Sequence, residues 1–465
     1  MPSSMVPNDQ SEMPTGDGPE RRIDDLIDYA GAAEYARSLD TIMSSDGFRS
    51  PNAPIPLRPV LMEQNRYESM VRTARQAMRI IKDVTRARGA NYRELARAVD
   101  FEYPRVSLWS DSPLQNRWAL AMARPDIGVV DGVPKVFEVN VNSALGGLTQ
   151  LPRLDAAFLG RADLRRAWRE HPVSTDSVAS ALSRLLRAVG DSVGRPVPQV
   201  GIVGFRHDED KGGSEETYLG LLDGLRTHGV PAVYVPAQDV RVRNGKAYAG
   251  RTRLDVLLRM FVTADAPAAG IDIEPLRRVI AEDAAVVLSP EAAGPLASKR
   301  VLAWITEDAE HMCAADRAFV RRHIPETHIV EAPGTLGPDA RSVRERLRRE
   351  QHDLLLKGNQ GHSAHTVTVG RECAEAEWLS RVDEALLSRG CVVQRRVETD
   401  LLEIPVYSET HGRVLRPASR VVYGPLLIGE RCGGIMSRHS DAGLGDVVSG
   451  ITGGVANTTF RWSAS

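Results

Sequence analysis

The chain has 465 residues, with 59 basic and 61 acidic side chains for a formal net charge of −2, and 42% of its residues are hydrophobic. That balance gives no overall push toward nucleic acid or a membrane surface, and no apolar run approaches the length of a membrane span. The four cysteines, Cys313, Cys373, Cys391 and Cys432, follow neither metal-ligand spacing nor a disulfide framework, which reads as reduced thiols in a cytoplasmic protein.

Residues 1–22 carry Asp9, Glu12, Asp17 and Glu20 among Ser, Pro, Gly and Met, a composition that predicts a disordered acidic tail and no signal peptide. From Ile23 to Ser44 the period is helical. Leu61 to Val99 predicts one or two longer helices, with Met70, Ala74, Met78, Ile81 and Val84 on one stripe and the methionines as core filler.

The stretch from Arg124 to Gly147 reads as a β-hairpin. Ile127, Val129 and Val130 form one arm, Val136, Phe137, Val139 and Val141 the other, and Asp131-Gly132 turns between them. Folding the arms back brings Arg124, Asp126, Glu138 and Asn140 to one place. Asp126 joins the face of Glu138 and Asn140 only if the turn has three residues or the hairpin is bulged near Asp131. Two carboxylates and a carboxamide are oxygen ligands of the kind Mg²⁺ takes. A half-buried hairpin with polar residues on its wet side is the other reading of the same spacing.

Pro152 to Trp168 and Ser174 to Ser192 predict helices, the region 23–193 being helical apart from the hairpin. A composition break at Gly194–Pro198 opens a βαβ-like unit, region 194–295, with strands Val200–Gly204 and Val230–Val235 around a helix, Glu215–His228. The loop Lys211–Ser214 could hold an anion at the helix start. The dinucleotide glycine fingerprint is missing, which argues against a Rossmann oxidoreductase. Asn244-Gly245 predicts a second hairpin. Arg259 interrupts the apolar strand Leu254–Phe261, so it needs a buried partner or an anion: a structural ion pair or a substrate contact.

Region 296–465 holds Lys299, on a helix predicted over Pro295–Ile305, and Arg-rich helices between Asp316 and Glu350. Lys357 ends the strand Leu354–Gly358 before a polar loop, Asn359–His365, whose His362 and His365 read as solvated. Thr366–Val369 returns, and Cys391–Arg395 forms a strand with Gln394. Cys391 and Cys432 read as small buried hydrophobes. Strands over Val421–Ile428 and Gly433–Met436 run into Arg438, and a Gly-rich tail closes the chain.

These parts suit ATP held between two β-layers. The sequence resembles the ATP-grasp ligases, in particular their circularly permuted, glutathionylspermidine synthetase-like branch. The matching residues are Arg124-Pro-Asp126, Glu138-Val-Asn140 with Ser143, Arg259, Lys299, Lys357, Gln394 and Arg438. The metal motif here precedes both lysines, the order that marks the permuted branch. The resemblance implies an α/β ATP-grasp fold, glutathione synthetase-like, with a Rossmann-like substrate subdomain at 194–295.

The same resemblance implies Asp126, Glu138 and Asn140 as ligands of Mg²⁺, two ions in number. Lys299 and Lys357 would be the nucleotide lysines, Gln394 an adenine contact, and the loop with Gly361 a lid over the phosphates. Arg124 and Arg438, with Ser143 beside them, would lie near the γ-phosphate and acyl phosphate. The pattern differs at Gly358, at the lid's single glycine and at Arg395. The implied activity is amide formation between a small acid or peptide and an amine or amino acid, ADP-forming, with no nucleic acid or membrane partner. A homodimer is compatible with it. A non-catalytic nucleotide-binding protein and a phosphoryl transferase without amide formation are the alternatives on the same fold.

Overall fold

Alternating helical and two-residue periods fold into five sheets among the described residues. In this computed structural model these are residues 19–26, 31–44, 53–141, 145–205, 215–359, 367–388, 390–448 and 453–463. The lid residue Gly361, with His362 and His365, lies outside them, as do Ser143 and the loop Lys211–Ser214.

The largest sheet orders its main strands as Val60–Glu63, Val455–Trp462, Arg431–Asp441, Ala418–Ile428, Met122–Val130 and Val133–Asn140. The last two are the predicted hairpin. Its back carries Ile127, Val136 and Val139, packed against Met70, Ala74, Ile81 and Val84 of the helix Gln64–Arg88. Burying each of these Ile, Val and Met side chains stabilises by about 1.5–3 kcal/mol, so the apolar back fixes which face stays charged.

A four-stranded antiparallel sheet stands apart from this one, in the order Thr327–Ile329, Cys391–Arg395, Leu354–Gly358 and Val367–Val369. It is called the lysine sheet below, after Lys357. Its rear is covered by the helices Ala340–Arg349 and Glu375–Ser388, through Val343, Leu347, Trp378 and Val382. A parallel sheet orders Val286–Leu288, Val256–Arg259, Val200–Gly204 and Ala232–Pro236. Short antiparallel sheets flank these layers, one of them built on the Asn244-Gly245 hairpin, where Arg243 faces Lys246. No helix among the described residues is long and apolar enough to cross a membrane.

Several expectations are corrected. A helix already begins at Pro19, inside the stretch read as tail. Leu61–Glu63 is strand, ahead of the helices Gln64–Arg88 and Tyr92–Ala98. Gln150–Gly160 and Ala162–Glu170 are two helices where one was expected, divided at Arg161, whose extended backbone ends the first and opens the second. The predicted helix Pro295–Ile305 is a 3-10 segment, Glu291–Ala297, followed by the helix Arg300–Asp308, and Lys299 is the residue before that helix. Cys391 and Cys432 are half-buried rather than enclosed. The Gly-rich tail ends in the strand Val455–Trp462, which lies inside the largest sheet.

Candidate active site

Alternation alone would split the hairpin's polar residues between two faces. Asp131 and Gly132 adopt φ of 50° and 74°, a two-residue turn with both centres left-handed. From that turn Val130 pairs Val133 and Ile127 pairs Val136, whereas Asp126 pairs Glu138 and Arg124 pairs Asn140. The register shifts by one residue between Ile127 and Asp126. Phe137 is therefore the extra residue of a bulge, and it rotates Glu138 and Asn140 onto the face of Arg124 and Asp126. The bulge lies at Phe137, not near Asp131 as expected. Gly128 makes room for it, since a Cβ there would stand 2.4 Å from the Phe137 ring.

The face so formed is charged. Arg438, from the strand Arg431–Asp441, donates to Asp126 Oδ2 at 2.5 Å, and Arg124 Nε donates to Asp126 Oδ1 at 3.3 Å. Arg124 also donates to the Gly146 carbonyl at 3.0 Å. Its side chain lies across Gly424, where a Cβ would meet Arg124 Cδ at 2.7 Å, so any other residue there would displace the guanidinium arm. Burial pushes the Asp126 carboxyl up, but the charges of Arg438 and Arg124 outweigh it and hold it below the usual range. Burial lowers the pKa of Arg124 despite the partly opposing pull of Asp126.

The lysine sheet supplies the other wall. Lys299 Nζ lies 3.4 Å from Glu138 Oε1. Lys357, 6% exposed, donates to Gln394 Oε1 at 2.6 Å. Burial lowers its pKa to about 8, with Glu138 pulling up and Lys299 pushing down. The backbone joins the two lysines: Lys299 N–H donates to the Asn359 carbonyl at 3.1 Å, two residues past Lys357. Asn359 is itself buried, donating to the Val99 carbonyl at 2.6 Å and accepting from Ser298. Sequence reasoning passed over Asn359 as a loop residue; its place directly after Lys357-Gly358 was the available signal.

Gln394, implied as an adenine contact, lies inside the lysine sheet. Its strand is interior, hydrogen-bonded on both sides, with Gln394 opposite Thr327 and Leu355. Its amide nitrogen donates to Thr327 Oγ1 at 3.0 Å and to the bulged Phe137 carbonyl at 3.4 Å. The side chain positions Lys357 against the hairpin and offers no open edge.

Arg259 is not part of this assembly. It ends a strand of the parallel sheet and donates to the carbonyls of Ser289 and Phe261 at 2.6 and 3.0 Å, and to Thr263 Oγ1 at 3.0 Å. Burial lowers its pKa to about 10, partly offset by Glu291. Its partners are parts of the fold.

The donor set can be tested against Mg²⁺. Glu138 keeps one oxygen, and Asn140 its side-chain carbonyl, without a hydrogen bond among the described residues, whereas the Asn140 amide donates to the Arg124 carbonyl at 3.2 Å. Both are hard oxygens on one strand face and suit Mg²⁺ with phosphate and water completing the shell. Asp126 has both oxygens committed to guanidinium groups and joins such a set only by releasing one.

No family model matches the sequence, and no curated protein matches it at the sequence level. Among solved structures, the chain is similar to a glutathione synthetase-like effector from Globodera pallida, determined in its apo form. The match covers 96% of this chain and 98% of that one at 11% identity, with a TM-score of 0.54. A protein assigned as a gamma-glutamylcysteine synthetase from Methylobacillus flagellatus matches over 70% of this chain and 77% of its own, at 9% identity and a TM-score of 0.37. The ATP-grasp ligase PsnB, complexed with a minimal precursor, matches over 57% and 89%, at 13% identity and a TM-score of 0.28. The chain has a glutathione synthetase-like fold, as the resemblance implied.

Proposed function

We propose that this chain is an ATP-dependent carboxylate–amine ligase, ADP-forming, which makes an amide through an acyl phosphate. One observation carries the reading. Among the described residues, Arg124, Arg438, Lys299 and Lys357 meet two carboxylates, Asp126 and Glu138, between two β-layers. Four positive against two negative charges leave a net of +2 in a largely buried place. A polyanion such as the triphosphate of ATP balances it. The order of the chain, hairpin before both lysines, supports the circularly permuted arrangement.

In this reading Lys299 and Lys357 neutralise phosphate oxygens, and Gln394 keeps Lys357 aimed into the cleft. Glu138 and Asn140 would hold Mg²⁺, and Asp126 would join a second ion only by releasing one of its guanidinium partners. The metal supplies charge neutralisation between phosphate groups when bound. Asp126 holds Arg124 and Arg438 as a pair, so their remaining N–H groups face the carboxylate being activated.

A carboxylate does not react with an amine directly, because oxide is a poor leaving group. Its oxygen attacks the γ-phosphorus, the bond from that phosphorus to the ADP oxygen breaks, and an acyl phosphate forms. The amine nitrogen attacks the carbonyl carbon, phosphate leaves, and a proton passes from nitrogen to water or to a substrate oxygen. Fixed guanidinium groups stabilise the oxygen charge that develops in both steps. The substrates are a small acid or peptide and an amine or amino acid.

Incubation with ATP, Mg²⁺ and candidate acids, using hydroxylamine as acceptor, tests the proposal. Acid-dependent ADP release with hydroxamate formation is expected. ADP release without hydroxamate for every active acid would replace it with a phosphoryl transferase, and ATP binding without ADP release with a nucleotide-binding protein.

A further inference from the structure

Away from the hairpin, three guanidinium groups converge on one carboxylate. Arg371 Nη2 lies 2.5 Å from Asp446 Oδ1, Arg420 Nη2 lies 3.1 Å from the same oxygen, and Arg396 Nη1 reaches Oδ2 at 3.3 Å. Arg396 and Arg420 are largely enclosed, with side chains 15% and 11% exposed. Arg396 Nε is buried with no partner among the described residues. The other acids are peripheral. Glu398, 63% exposed, lies 3.3 Å from Arg396 and 3.8 Å from Arg371, and Glu372 accepts from the Asp446 N–H at 2.9 Å.

The position of the cluster is informative. Arg420 lies four residues before Gly424 on one strand, about 13 Å along it, and the even spacing keeps it on the face where Arg124 and Asp126 lie. Arg438 pairs with Val422 between them. Arg371 and Arg396 follow strands of the lysine sheet. The three arginines therefore bridge the same two β-layers as the lysines and the hairpin, at one end of the cleft.

Asp446 arrives differently. It is borne on the loop after the 3-10 turn Ala442–Leu444, where Gly445 has φ of +111° and Leu444 is 64% exposed. The enclosed guanidinium groups of Arg396 and Arg420, with the partly exposed Arg371 beside them, need an anion at their centre, and Glu398 lies at the edge. Asp446, from a loop in which Gly443 and Leu444 are exposed, supplies it.

We propose that Arg371, Arg396 and Arg420 form a carboxylate-binding site, occupied without ligand by Asp446, which a carboxylate ligand displaces. Three guanidinium groups carry more N–H donors than one carboxylate can accept, so an incoming carboxylate with further oxygens can take bonds that Asp446 leaves unmade. Assignment of this site to the acid substrate rests on the ligase reading; anion binding itself does not.

The test uses the full chain without nucleotide, with succinate as probe and sodium chloride matched for ionic strength. Asp446→Ala is expected to melt below the wild type without succinate and to recover with it. It should bind succinate about tenfold more tightly than the wild type, because no internal carboxylate competes. Adding Arg420→Met to Asp446→Ala should abolish that gain. Equal succinate responses in wild type and Asp446→Ala would overturn the proposal. So would failure of both Asp446→Ala and Asp446→Asn to fold at any succinate concentration, since the arginines would then need the loop itself. None of these readouts depends on ligase activity.

Discussion

Arg124 and Arg259 are both strand residues and both buried, 8% and 4% exposed, yet they answer burial in opposite ways. Arg259 spends its donors on the carbonyls of Ser289 and Phe261 and on Thr263, closing the loops at one end of the parallel sheet. Arg124 shares one carboxylate, Asp126, with Arg438, in a cluster that stays positive overall. A buried cation satisfied by neutral oxygens holds a fold together; a buried cation in surplus over its carboxylates prepares a place for an anion.

Four expectations sharpen or break this contrast, from the largest effect down. Glu138→Ala should lower acid-dependent ADP release by a factor of about 10²–10³ while the chain still folds, because it removes a carboxylate that faces the cleft. Normal turnover in that variant would remove the hairpin from the chemistry. Arg259→Met should do the reverse: denaturant unfolding should show a loss of about 3 kcal/mol, from carbonyls left unpaired, while the folded fraction keeps its ATP affinity. If stability held and ATP binding vanished, the two arginines would have exchanged roles.

His439 extends the comparison to a cation the fold refuses. It is 1% exposed, and burial with the nearby Arg58 charge lowers its pKa from 6.5 to about 3. Below pH 6.5 the unfolded chain takes up a proton that the folded chain does not, so stability falls as pH drops toward 3. The loss should reach about 2 kcal/mol by pH 5 and should shrink in His439→Gln, measured by denaturant midpoints across that range. The smallest effect belongs to Gln394→Leu. It removes the acceptor that orients Lys357 and should weaken ATP binding about fivefold by calorimetry, the worth of one hydrogen bond. Loss of all binding would restore a direct nucleotide contact for Gln394.

The hairpin was legible because Asp131-Gly132 and the apolar alternation on either side admit few other folds. Its bulge was not, since nothing in the residue types separates Phe137 as an extra residue from Phe137 as a paired one; only the companion glycine at 128 hints at the ring lying there. The strand Thr327–Ile329, which pairs with the strand of Gln394, went unseen because three residues following Pro325-Glu326 give too short a pattern to register. The strand Val455–Trp462 was hidden by Asn457, Thr458 and Thr459, polar residues that are all 0% exposed. Asn457 and Thr458 are tied by hydrogen bonds to the Arg58 carbonyl and to Asp155. Hydrophobic periodicity cannot find a strand in which three consecutive buried side chains are polar. Arg259 matched the resemblance by residue type, but its geometry belongs to the fold.

A crystal structure with Mg²⁺ and a non-hydrolysable ATP analogue tests the central claim most directly. The triphosphate should lie between the two β-layers, against Lys299 and Lys357, with the metal on Glu138 and Asn140. A nucleotide whose phosphates bind elsewhere, leaving Lys357 on Gln394 and Lys299 on Glu138 as they stand, would contradict the account.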